Sequence, residues 1–262
     1  MKEQLLVIKI GGNVIDSEGN LRQFLKDFAA LPQKKILVHG GGKLATQLAK
    51  QLDLPQQMVD GRRITDAETL KLVIMVYAGL INKNIVAQLQ ANGCNAIGIS
   101  GADGNLLEAH KRHHAGMDYG FVGDVDRVND TLIQTLMAAN LNPVVAPITH
   151  DAHGQLLNTN ADTIAQEIAQ AASGPFDTQL IYCFEKAGVL MDVNDEQSAI
   201  PVVDKDYFEH LKANKIIFEG MLPKLTNAFA AIGRGVGSVT IGSWSQLTKL
   251  AIGQAGTKII NN

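Results

Sequence analysis

Leu5-Leu6-Val7-Ile8-Lys9-Ile10-Gly11-Gly12 is the stretch on which the reading of the fold turns. Five of its first six residues are large and apolar, with no polar alternation. That pattern marks a strand buried on both faces, as in a parallel sheet covered by helices. Lys9 breaks the pattern, and an unpaired lysine in such a strand is costly, so it is a candidate functional group. The two glycines then end the strand. Ile36-Leu37-Val38-His39-Gly40-Gly41-Gly42 repeats the arrangement, and a helix is expected after it over 43–52. Glycine lets backbone N–H groups approach an anion, and a helix N-terminus adds positive potential. Two such turns favour a phosphate ligand at the strand ends of an open sheet.

Working outward, strands are expected over 95–100, 143–148, 178–184 and 238–241. Helices are expected over 21–31, 132–139, 162–172, 204–213 and 223–233. A long helix should run from 65 to 91, N-capped by Thr65 with Glu68 in capping-box position. Residues 106–109 and 119–122 could form a hairpin. Alternating strands and helices predict an α/β fold, a three-layer αβα sandwich with a mainly parallel central sheet. Ser173-Gly174-Pro175 is the best boundary, dividing the chain into 1–173 and 174–262.

The 262 residues carry a net charge of −3, which gives no electrostatic case for binding nucleic acid. Cys94 and Cys183 sit in apolar sequence without metal spacing, which suits reduced core thiols in a cytoplasmic protein. The longest apolar run, 72–81, is too short to span a bilayer, and no membrane partner is expected. His110, His113 and His114, with Asp103 and Asp118, fit no ligand motif, so no metal-binding residue is assigned. A P-loop is absent because Leu44 follows Gly42-Lys43. Gly40-Gly41-Gly42-Lys43-Leu44-Ala45, with Asp60 near the ribose distance, does satisfy a dinucleotide fingerprint. That keeps a nicotinamide-binding dehydrogenase in view, although it leaves Lys9-Ile10-Gly11-Gly12 unexplained.

Taken in order, these segments resemble the amino acid kinase family, and within it most the N-acetylglutamate kinases. Lys9-Ile10-Gly11-Gly12 and His39-Gly40-Gly41-Gly42 are similar to its two glycine turns. Asp60-Gly61-Arg62-Arg63-Ile64-Thr65-Asp66 is similar to its Gly-x-Arg-Val-Thr segment. Leu157-Asn158-Thr159-Asn160-Ala161-Asp162 resembles its Asn-x-Asn-Ala-Asp signature, and Gly220-Met221-Leu222-Pro223-Lys224 its Gly-Met-x-x-Lys segment. Gly256-Thr257-Lys258-Ile259 looks like its final strand.

The resemblance implies transfer of the γ-phosphoryl group of ATP to the γ-carboxylate of N-acetyl-L-glutamate, or another N-acylglutamate, in arginine biosynthesis. Lys9, Lys224 and Asp162 would be catalytic, Asp162 holding the two lysines in place. Gly41, Gly42, Arg63, Asn158 and Asn160 would bind substrate. Lys9, Gly11, Gly12, Gly188, Gly220 and Met221 would bind nucleotide, with Mg2+ held mainly by the phosphates. The first part of the chain would hold the acylglutamate and form a homodimer through the long helix, with Met75 or Leu72 on its exposed side. The second part would hold ATP. Arginine regulation is expected to be absent. Two segments depart from the family pattern. Cys183-Phe184-Glu185-Lys186-Ala187-Gly188-Val189 replaces the usual Thr-Asp or Ser-Asp pair, and Lys186 could reach a phosphate. Arg62 stands where an uncharged residue is usual and could pair with a succinyl carboxylate. A glutamate 5-kinase-like enzyme and a non-catalytic amino-acid-sensing module compete with this reading.

Overall fold

The computed structural model describes residues 2–59, 62–214, 216–217 and 221–261. Strand Gln4–Ile10 lies inside an eight-stranded sheet. Parallel neighbours Asp177–Phe184 and Lys34–His39 flank it. Beyond Lys34–His39 come Asn142–Val145 and Ala96–Ile99, and beyond Asp177–Phe184 come Ser238–Ser243, Thr257–Ile259 and Val202–Val203. Among the described residues, one pair of this sheet is antiparallel, Ser238–Ser243 with Thr257–Ile259. The strand after Ser173-Gly174-Pro175 therefore joins the same sheet, directly beside the first strand.

Alternation along Gln4–Ile10 builds the two outer layers. Leu5 and Val7 share a core with Ile164 and Ile168 of helix Ala161–Ala172. Leu6, Ile8 and Ile10 face the other way, into a core with Phe24 and Phe28 of helix Glu18–Ala30 and Val73 of the long helix. Leu5 through Ile8 are fully buried, and each such side chain contributes about 1.5–3 kcal/mol relative to exposure.

The long helix, Ala67–Ala91, is apolar and long enough to cross a membrane by length and composition. The expectation from the run 72–81 alone was too narrow in that respect. Leu72, Val73, Val76, Ile81, Ile85 and Leu89 are nonetheless packed in the core beside the sheet, so it is a core helix of this fold. Its middle, Ile74–Ile81, widens into a π-helix. Leu72, expected on the exposed side, is buried, whereas Met75 and Leu80 are exposed.

Three local expectations need correction. Asp66, not Thr65, caps the long helix, its carboxylate accepting from Thr69 N–H at 2.8 Å. The Thr65 hydroxyl is turned inward and donates to the Arg63 carbonyl at 2.8 Å. The hairpin pairs Leu107–Lys111 with Gly123–Val128, because residues 119–122 instead bridge Thr65 and Asn158. The strand expected over 143–148 divides at Ala146-Pro147, where Ile148–His150 leaves for a second, four-stranded sheet.

The Asp66 cap has a measurable weight. Asp66→Ala should lower unfolding free energy by about 1 kcal/mol, read as a shifted urea midpoint at constant m. An unchanged midpoint would place the cap elsewhere.

Candidate active site

The same strand alternation that builds the layers also places Lys9. It falls on the Leu5–Val7 face, at the strand's C-terminal end, opposite the first turn of helix Ala161–Ala172. Its Nζ lies 2.7 Å from Asp162 Oδ1, an ion pair whose angle falls outside hydrogen-bond geometry. Lys224, in the first turn of helix Leu222–Gly233, donates to Asp162 Oδ2 at 3.3 Å. One carboxylate thus holds two lysines from two other elements. Burial alone would raise the Asp162 carboxyl, but Lys9 and Lys224 outweigh it and hold its pKa down at about 2. Tyr182, paired with Lys9 across the sheet, donates to the Asp162 carbonyl at 3.2 Å.

Two adjoining cavities meet at this cluster, sharing Lys9, Gly11, Gly12, Gly42, Arg63 and Asp162. The smaller, about 230 Å³, is also lined by Gly41, Tyr77, Asn158 and Asn160. The larger, about 640 Å³, adds Lys43, Lys224 and Phe184. Gly41 is the N-cap of helix Gly42–Gln51 at φ 155°, a backbone conformation that side chains disfavour. A Cβ there would also collide with Ile81 and lie 3.1 Å from Tyr77. The turn can therefore be formed by glycine alone, with the π-segment pressed against it.

Arg63 is buried and spends three of its five donors on protein: the Gly42 carbonyl and Thr46 hydroxyl, each at 2.9 Å, and the Gln56 side chain. Asn158 donates to the Thr65 hydroxyl at 3.0 Å. Asn160 caps helix Ala161–Ala172, accepting from the N–H groups of Asp162 at 2.8 Å and Thr163 at 3.2 Å. Both asparagines still line the smaller cavity.

The expected nucleotide residues separate. Gly11 and Gly12 join the cluster, but Gly188 and Met221 line a third, mostly apolar cavity with Val189, Leu190 and Ile217. A Cβ on Gly188 would lie 2.5 Å from the Thr257 hydroxyl, so this glycine also makes room for the final strand. Lys186 pairs with Glu196 at 2.5 Å and lines the third cavity, away from Lys9. Asp60, Gly220, and the side chain of Arg62 on which a succinyl contact would depend, lie outside the described residues. Among the described residues no cluster of His, Cys, Asp and Glu is placed to hold a metal ion. His110 instead pairs with Asp126 at 2.7 Å and stacks near His113.

Sequence reading missed four participants. Lys43 sits in the first turn of a helix, where a cation opposes the dipole. It is held by Asn13 and lies 3.8 Å from Asp16, whose carboxyl burial pushes up. Tyr77 was the one polar-tipped residue in the apolar run. Thr46 and Gln56, which hold Arg63, carried no signal at all.

Residues 4–243 match the amino acid kinase family, and the chain belongs to it. It is 54% identical to the acetylglutamate kinase of Cytophaga hutchinsonii over 263 residues, covering 99% of this chain and 100% of that protein. The acetylglutamate kinase of Bacteroides fragilis is 56% identical over 241 residues, 92% of each chain. Within the family, the chain belongs with these acetylglutamate kinases. The fold also matches carbamate kinase from Giardia lamblia bound to AMP-PNP, with a TM-score of 0.72, 14% identity, and coverage of 100% and 99% of the two chains.

The depressed Asp162 carboxyl predicts a pH dependence. A group whose folded pKa is about 2, against 3.8 as reference, stabilises the fold fully above about pH 4. That contribution, about 2 kcal/mol, is lost as pH falls toward 2. The difference in unfolding free energy between wild type and Asp162→Asn should be constant from pH 5 to 7 and shrink between pH 4 and 2. A difference independent of pH would show that the carboxylate is not held by the lysines.

Proposed function

We propose that the chain transfers the γ-phosphoryl group of ATP to the γ-carboxylate of N-acetylglutamate, giving an acyl phosphate in arginine biosynthesis. The observation that carries this reading is the Lys9–Asp162–Lys224 cluster at the junction of two cavities. The attacking carboxylate is already ionised, so the reaction needs no protein nucleophile. Its barrier comes from bringing anions together and from charge on the moving phosphoryl group. Positioning and fixed positive charge lower that barrier.

The smaller cavity takes the acylglutamate. The Arg63 guanidinium binds its α-carboxylate, Asn158 and Asn160 orient it, and Gly41 and Gly42 N–H groups receive the reacting carboxylate. The larger cavity takes the phosphates, with Gly11 and Gly12 N–H groups beneath them. Lys9 and Lys224 flank the transferring group, and Asp162 holds both in place. The apolar cavity beside Gly188 and Met221 offers a site for the adenine. Residues 1–173 thus hold the acylglutamate, and residues 174–262 supply Lys224 and the adenine site for the nucleotide, whose phosphates also rest on Gly11 and Gly12.

Both Asp162 oxygens face a lysine, so the donor set suits Mg2+ carried by the phosphates. Bound there, the ion would offset their charge. Cys94 and Cys183 are free and buried, and burial pushes Cys183 up to about 12, which suits an enzyme of the reducing cytoplasm.

The long helix supports a two-fold dimer. Met75 and Leu80 are each 59% exposed, and a side chain at Gly79 would meet open space.

Hydroxamate trapping with MgATP should detect product from N-acetylglutamate and none from glutamate or aspartate. Turnover of none of these, or NADH binding instead, would sink the assignment. Lys224→Ala should lower kcat roughly 100- to 1,000-fold. Arg63→Ala should act mainly on the acylglutamate KM. Light scattering should give twice the 28.1 kDa chain mass, and Met75→Glu should halve it. A wild-type monomer at micromolar concentration would remove the dimer from the picture.

A further inference from the structure

Strand Lys34–His39 delivers a fully buried histidine to the root of the second glycine turn. No step of phosphoryl transfer uses His39, yet both its ring nitrogens are engaged. Nδ1 lies 2.8 Å from the Gly40 carbonyl oxygen, which can only accept, so Nδ1 carries the proton and donates. Nε2 lies 3.2 Å from Asn82 Nδ2. The orientation of that amide is fixed from both sides. Its nitrogen donates to the Val144 carbonyl at 2.9 Å, and its oxygen accepts from Lys83 Nζ at 3.1 Å. The second amide hydrogen is therefore left for the Nε2 lone pair. Gly98 makes this possible, because a Cβ there would collide with the Asn82 oxygen. Donation runs one way: Asn82 to His39 to Gly40.

In a planar trans peptide, the C=O of one residue and the N–H of the next point in opposite directions. Fixing the Gly40 carbonyl therefore aims the Gly41 N–H. The Gly40 N–H is pinned as well, donating to the Ile10 carbonyl at 3.1 Å. Gly41 alone has a wide choice of conformations, so its observed φ of 155° must be imposed by neighbours. Tyr77 and Ile81 impose it from one side by packing. The imidazole adds its constraint through the Gly40 carbonyl. Burial also pushes the His39 pKa down to about 4, which keeps the Nε2 lone pair available at neutral pH.

We propose that His39 is a positioning residue: the Asn82–His39–Gly40 relay sets the direction of the Gly41 N–H that receives the reacting carboxylate. The inference rests on the function proposed above. His39→Asn keeps a donor near the Nδ1 position, whereas His39→Gln keeps an acceptor near Nε2 and loses the donor to Gly40. With N-acetylglutamate varied, kcat/KM should stay within about threefold of wild type in His39→Asn. It should fall by about 30-fold or more in His39→Gln, as for a misdirected preorganised donor, with the ATP KM unchanged in both. Equal losses in two variants of matched Tm, or an effect confined to the ATP KM, would overturn the proposal. Long-range 1H–15N spectra of folded wild type read the tautomer without any substitution. Nδ1–H for His39 supports the relay, and Nε2–H overturns it. Wild type inactive on N-acetylglutamate would reject the function instead, and the tautomer would still report on the relay.

Discussion

A lysine at the end of a buried strand must find an anion, and much of the molecule is arranged around how Lys9 does so. An unpaired charge at that depth costs several kcal/mol, and removing one partner of such a pair commonly costs about 3–5 kcal/mol, as much as a marginal fold can spare. Asp162 supplies the anion only if helix Ala161–Ala172 crosses the Leu5–Val7 face with its first turn at the strand's C-terminal end. The apolar stripe of that helix, Ile164, Ala165 and Ile168, sets this crossing. Asn160 then fixes where the helix begins. Lys224 adds a third element to the same carboxylate. The ion cluster therefore acts as a gauge: strand, helix and second helix must all be in register for it to close.

The glycine turns answer a different demand. A phosphate or carboxylate needs N–H donors without side chains in the way, and open parallel sheets provide these where strands stop and helices start. Gly11 and Gly41 lie in the turns that follow two adjacent parallel strands, at the same end of the sheet, and both line the smaller cavity. Parallel pairing of Gln4–Ile10 with Lys34–His39, with Ile10 opposite His39, is what brings the two turns side by side.

The strands and the two turns were legible because their signals are local: unbroken apolar runs, then glycine. Lys9 was legible because it violated its own strand. The cap at Asp66 was not, since Thr65 and Asp66 are both good caps by type, and what decides between them is tertiary: the Thr65 hydroxyl is claimed by Arg63 and Asn158. The hairpin register failed for a related reason, because residues 119–122 pair outside the hairpin. Gly188 and Met221 were carried by resemblance, and the structure separates them from Gly11 and Gly12. The π-segment left no mark in the sequence, and neither did the packing of its Tyr77 and Ile81 against Gly41. The contacts of Thr46 and Gln56 were equally silent, being set by where Arg63 comes to rest.

The position of the first strand has a consequence for how the chain is made. Gln4 pairs with Asp177, so one edge of Gln4–Ile10 stays open until 173 further residues have been added. Closing a loop of that length costs about 4.5 kcal/mol in chain entropy. High contact order of this kind slows folding. A nascent chain released before residue 184 would therefore expose an apolar strand edge along Leu5 to Ile10, the template on which chains add to one another. The pairing that seats Lys9 inside the finished sheet thus makes the unfinished chain dependent on whatever shields that edge during synthesis.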